Sequence, residues 1–141
     1  MARGMYVLCE IEGVLARVSH RKSVSDADAD ADADALIAGD ELIFSTSRML
    51  RGFTRSGAEV ALISSRPESL EAPTKRWLKD FGIDYDWLHL VPHGVNFETH
   101  IKRTLAEHKS DLLIAALVHD HRLRSALADY HQRPIIYEVS K

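Results

Sequence analysis

Short apolar runs, each followed by an amphipathic stretch, constrain the fold of this sequence more than any other feature. Tyr6-Val7-Leu8-Cys9-Glu10-Ile11 is stopped by Gly13, and Glu59 to Ile63 runs into Ser64-Ser65-Arg66-Pro67. Trp87 to Val91 ends at Pro92-His93-Gly94, Leu112 to Val118 is the most apolar run in the chain, and Pro134 to Val139 closes it. Continuous apolar runs of this length read as strands buried on both faces. Between them, Leu42, Ile43, Met49, Leu50 and Phe53 recur at helical spacing over 41–56, with Gly57 as a C-terminal stop. The turn at 64–67 starts a second helix, whose apolar face carries Trp77, Leu78 and Phe81. Phe97, Ile101 and Leu105 mark a third, and Leu123, Leu127 and Tyr130 a fourth. Strands alternating with helices over short connections imply crossover units, hence a parallel sheet covered on both faces. The expected fold is α/β, a three-layer α/β/α sandwich around a parallel five-stranded Rossmann-like sheet.

A chain of 141 residues, 45% hydrophobic and 28% charged, suits one globular domain over 1–141. The net charge of −3 provides no basic field for sequence-independent nucleic-acid binding by the whole surface. Arg48, Arg51 and Arg55 share a helical face and read as solvated surface. The single cysteine, Cys9, sits among apolar neighbours and reads as a buried thiol, in keeping with a reducing, cytoplasmic setting. No apolar run approaches the roughly 18 residues that span a bilayer, and Met5 to Cys9 is too short for a signal-peptide core. Trp77 and Trp87 read as core or rim packing rather than base-stacking platforms.

Ser25 to Ala35 holds five aspartates alternating with alanine. Mutual repulsion and the lack of large apolar side chains make the segment at about 22–39 an acidic, flexible loop. Asp30, Asp32, Asp34 and Glu41 also fall at positions one, three, five and twelve of a calcium-binding loop, but Ala35 stands where that loop needs glycine.

Open parallel sheets bind ligands outside the carboxyl ends of their strands, which directs attention to Glu10, Glu12, Ser64 and His119 to His121. His119 and His121 flank Asp120 and are of zinc-ligand type, but no full ligand set can be counted around them. There the stretch Glu10-Ile11-Glu12-Gly13-Val14-Leu15 resembles the first motif of the haloacid dehalogenase-like phosphohydrolases, D-x-D-G-T/V-L, with both aspartates replaced by glutamate. Ala61-Leu62-Ile63-Ser64 is similar to the second motif, and Ser65-Arg66-Pro67-Glu68 to the segment that follows it. Lys102 matches the lysine of the third motif and Asp120 the acid of the fourth. Within that family, Ala16-Arg17-Val18-Ser19-His20-Arg21 and Thr74-Lys75-Arg76-Trp77-Leu78 resemble the phosphatase domain of phage polynucleotide kinases. The resemblance covers nearly the whole chain.

It implies a domain with minimal or no cap, the acidic loop lying where relatives insert one. It implies Glu10 as nucleophile and Glu12 as acid/base, with Ser64 and Lys102 holding the phosphoryl oxygens. Gly13, Ser65 and Arg66 would line the substrate site. Magnesium would sit between Glu10, Glu12 and Asp120 and offset the repulsion between nucleophile and phosphate. The substrate class implied is a phosphorylated nucleotide or nucleic-acid end, in a host cytoplasm if the chain is of phage origin. Side chains at i and i+2 of an extended segment share a side, so both acids can face one substrate.

The departures point the other way. Each glutamate adds a methylene, displacing its oxygens by about 1 Å where such a shift costs on the order of 100-fold in rate. Val14 lacks a hydroxyl, and His119-Asp120-His121 stands where the family often has adjacent acids. The expectation is a scaffold with impaired or lost phosphatase activity and weakened magnesium binding, which keeps a phosphate-sized pocket and acts by binding a ligand or a protein partner. The alternative is an active magnesium-dependent phosphohydrolase acting on a nucleotide or polynucleotide 3′-phosphate with Glu10 as nucleophile.

Overall fold

The computed structural model describes residues 4–18 and 35–139. Strand β1 (Met5–Glu10) is followed by a tight turn and a two-residue strand β2 (Ala16–Arg17), which pairs antiparallel with β3 (Glu41–Leu42). Helix α1 (Phe44–Arg55) leads to β4 (Glu59–Pro67), and a short 3₁₀ turn, Glu68–Leu70, leads into α2 (Glu71–Asp80). Then come β5 (Trp87–Val91), α3 (Phe97–Glu107), β6 (Leu112–Val118), α4 (His121–Ala128) and β7 (Ile135–Glu138).

Five strands form one sheet in the order β5-β4-β1-β6-β7, with every pairing parallel. The expected three-layer α/β class is the observed one. Successive residues of β1 serve opposite layers, as the two-residue period of a strand requires. Val7 and Cys9 join Val60, Leu62, Leu50, Trp77 and Leu78, the side of α1 and α2. Tyr6 and Leu8 join Ala61, Ile63, Ile101, Leu105, Leu123 and Leu127, the side of α3 and α4.

Three local expectations shift. The first helix begins at Phe44 rather than Glu41, because Glu41 and Leu42 are taken by the pairing with β2 and Arg17 meets Glu41 at 3.3 Å. Met49, counted on its apolar face, is exposed, whereas Thr46 and Leu50 are buried. The second long strand does not stop at Ile63 but continues through Pro67, since buried partners hold Ser64 and Arg66 in extended form. Of the acidic segment, Asp30, Asp32 and Asp34 lie outside the described residues, and 35–38 is helical with Ile37 fully buried. Trp77 is buried in the core, while Trp87 lies at the rim, 45% exposed.

Candidate functional site

Because β1 has β4 on one side and β6 on the other, its carboxyl end opens on the crevice where chain connections leave in opposite directions. Glu10 ends β1 there, Ser64 lies on β4, and His119-Asp120 follow β6. The turn after Glu10 is built from the backbone: Ile11 N–H donates to the Ile63 carbonyl (3.0 Å), and the Ile11 carbonyl accepts from Val14, Leu15 and Ala16. Thr46 on α1 fastens it by donating its hydroxyl to the Val14 carbonyl at 2.6 Å. Gly13 sits at φ +84°, and a Cβ there would meet His119 Cδ2 at 2.7 Å, so turn and ring are packed as one piece.

Glu10 is 4% exposed, and its Oε1 accepts the backbone N–H groups of His119 (2.9 Å) and Asp120 (3.0 Å). Burial raises its carboxyl above the usual range, the two amides pull against that, and the charges of Glu12 and Asp120 add to the rise. Glu12 faces β4. Its carboxylate accepts the Ser64 hydroxyl (2.8 and 3.0 Å), the Ser65 N–H (2.9 Å) and the Ser65 hydroxyl (3.2 Å). Arg66 Nε stands 3.1 Å from Glu12 Oε2, an ion pair off the line of a hydrogen bond.

Arg66 is itself buried and donates Nη2 to Asp40 Oδ2 at 2.7 Å and Nη1 to Thr74 at 3.2 Å. An acid on the segment before β3, an arginine on β4 and a threonine on α2 thus support the Glu12 carboxylate from behind. Asp120 caps α4 by accepting the Arg122 N–H (2.8 Å), and its two oxygens also meet Arg122 Nε (3.0 Å) and Nη2 (2.7 Å). The Arg122 side chain, ahead of its burial, holds the Asp120 carboxyl below the usual range. His119 Nδ1 lies 2.7 Å from the Val139 carbonyl. A carbonyl only accepts, so that nitrogen carries the proton.

The structure therefore brings Glu10, Glu12, Gly13, Ser64, Ser65, Arg66 and Asp120 to one strand end. Lys102 is on the exposed face of α3 and makes no hydrogen bond or ion pair among the described residues. Sequence reasoning passed over Asp40 and Arg122, polar partners that only tertiary structure delivers. It also passed over His89 and His108, whose ring nitrogens lie 2.9 Å apart on the α3 side of the sheet. The one sequence signal for that pair was a histidine in the middle of an otherwise apolar strand.

No family model and no curated protein matches this sequence. Solved structures do. A chain in the "Pnkp1/Rnl/Hen1 RNA repair complex" superposes with a TM-score of 0.81 at 19% identity over 98% of this chain and 43% of that one. This chain thus spans less than half the length of that neighbour. The class C acid phosphatase from Bacillus anthracis with tungstate bound gives 0.69 at 13% identity, covering 99% of this chain and 68% of that one. The chain shares the three-layer α/β fold of these two structures.

Proposed function

We propose that this chain is a haloacid dehalogenase-like domain in which phosphoryl hydrolysis is impaired or lost, and which binds a phosphorylated nucleotide or nucleic-acid end at the carboxyl end of β1. One observation carries the reading. Ser64, expected to hold a phosphoryl oxygen, donates its hydroxyl to Glu12, expected to act as acid/base, so the two groups satisfy one another. With Ser65 and Arg66 added, the Glu12 carboxylate is surrounded by protein donors. Lys102, exposed on α3, makes no ion pair with these acids among the described residues.

Magnesium requires open carboxylate oxygens in near-octahedral geometry. Here both Asp120 oxygens are engaged by Arg122, and Glu10 Oε1 is engaged by two amides. The residues as arranged do not fit that ion, which agrees with weakened magnesium binding. The neighbours support this ligand class: one belongs to an RNA repair complex, and the other holds tungstate, a tetrahedral oxyanion like phosphate. A second reading, an active hydrolase with Glu10 as nucleophile, draws on the two amides that fix Glu10 as an attacking group needs to be fixed.

Hydrolysis of an aryl phosphate and of a 3′-phosphorylated oligonucleotide with magnesium separates the two. The wild-type chain is expected to match Glu10→Gln, and Glu10→Asp/Glu12→Asp to gain about 100-fold. A wild-type rate that Glu10→Gln abolishes establishes the glutamate nucleophile and overturns the first reading.

A further inference from the structure

On the sheet face covered by α3, at the edge strand β5, two histidines meet. His89 is central on β5, and His108 caps the C-terminus of α3. Their Nε2 atoms are 2.9 Å apart with the rings near perpendicular at 89°. Glu107 Oε2 lies 3.3 Å from His89 Nδ1, and one donor atom from each of the three residues falls within 4.8 Å of the others. From this geometry we propose that His89, His108 and Glu107 form a binding site for a divalent transition metal of the zinc class, separate from the Glu10–Glu12 crevice.

The ligand chemistry suits that ion. Two imidazoles and one carboxylate select zinc, nickel, cobalt or copper over the hard cations, and three protein donors leave a coordination position open. At a metal–nitrogen distance of about 2.05 Å, tetrahedral ligation sets two nitrogens about 3.3 Å apart. The observed 2.9 Å needs only a few tenths of an ångström of opening.

Both rings are held in place. His108 is 2% exposed and stacks on Tyr6 at 4.6 Å, and Trp87 meets it edge-on at 5.1 Å. The His89 main-chain carbonyl accepts from His100 Nε2 at 3.1 Å. An Asp111 oxygen lies 3.9 Å from His108 Nδ1, placing negative charge behind the nitrogen opposite His89, as in carboxylate–histidine–metal arrangements. Burial keeps both imidazoles in the neutral, ligating form.

Access comes from a cleft of about 520 Å³ lined by His89, His100, Arg103 and Glu107. The Glu107 side chain, 64% exposed, is free to turn onto an incoming ion. His89 is level with Ile63 and Glu10 in the sheet but two strands away on the edge strand β5, and His108 reaches back to Tyr6 near the start of β1.

The test is titration of the full, chelator-stripped chain with Co²⁺, read by visible d–d absorption, followed by displacement with Zn²⁺. One equivalent of Co²⁺ is expected to give bands that Zn²⁺ abolishes. Glu107→Gln is expected to weaken binding about 10-fold or more, and His89→Gln to remove the bands. His121→Gln is expected to bind as wild type does. Because Glu107 is exposed, its variant is expected to keep the metal-free melting temperature, which guards against misreading a folding defect. Absence of bands at millimolar Co²⁺, or wild-type affinity in both His89→Gln and Glu107→Gln, overturns the proposal.

Discussion

Replacing Arg66 by methionine tests whether the buried ion network behind Glu12 organises the site. The substitution keeps an unbranched side chain of similar length but removes the cation facing Asp40, whose side chain is fully buried at 2.7 Å from Nη2. Removing one partner of a buried ion pair costs about 3–5 kcal/mol. At about 3 °C per kcal/mol for a chain of this size, the melting temperature falls by roughly 10 °C or more. The urea midpoint moves down by about 2 M for a slope near 2 kcal/mol/M. Trp77 reports the transition by fluorescence, since its indole N–H donates to the Asp40 carbonyl at 3.0 Å. The double variant Arg66→Met/Asp40→Asn is expected to recover at least half of the loss, because both charges of the pair are then removed together. A single-variant cost below about 1 kcal/mol, or a double variant no better than the single, refutes the assignment of Arg66 and Asp40 as a coupled buried pair.

Gly13→Ala is expected to cost about 2–3 kcal/mol in urea unfolding, combining the left-handed backbone with the clash against His119. His89 titrates at about 4 when folded, below its ordinary 6.5, because burial and then the charges of His108 and His100 disfavour the imidazolium. Its unfolded form therefore binds more protons across that window, so stability falls as pH drops from about 6.5 to about 4, and His89→Gln flattens this part of the curve. Glu10 acts in the opposite sense. Its folded carboxyl titrates above the unfolded one, so ionisation costs stability as pH rises, and Glu10→Gln is expected to raise the urea midpoint more at pH 7 than at pH 4. Cys9 is fully buried, and burial pushes its thiol up, so a thiol-specific reagent is expected to label it only at the rate of unfolding.

Strand positions were legible because both-face burial leaves an unbroken apolar run: Trp87 to Val91 and Leu112 to Val118 are observed with those bounds. Boundaries failed where a long-range partner decided them. Glu41 and Leu42 look helical by period, but they pair with Ala16 and Arg17 across the acidic segment. Ser64 to Pro67 looks like a turn by composition, but buried hydrogen bonds hold it extended. The clustering of Glu10, Glu12, Ser64 and Asp120 followed from strand ends and the motif resemblance. What each side chain does there was not legible, because Arg66, Asp40 and Arg122 satisfy those acids through contacts that no local pattern encodes. The His89–His108 pair was hidden for the same reason, being joined by the packing of a helix end on an edge strand.

The amides that bind Glu10 belong to residues 119 and 120, and the carbonyl that anchors the His119 ring belongs to residue 139. Every strand pairing of the main sheet is parallel and needs a crossover, so loop-closure entropy opposes these contacts until most of the chain is in place. During synthesis Glu10 leaves the ribosome more than 100 residues ahead of its partners. At about 5–20 residues per second, it waits on the order of 5–20 s with its carboxylate solvated by water alone. Glu10 is then desolvated only once β6 and the turn after it have docked, which makes closure of this crevice a late event in folding rather than a nucleus.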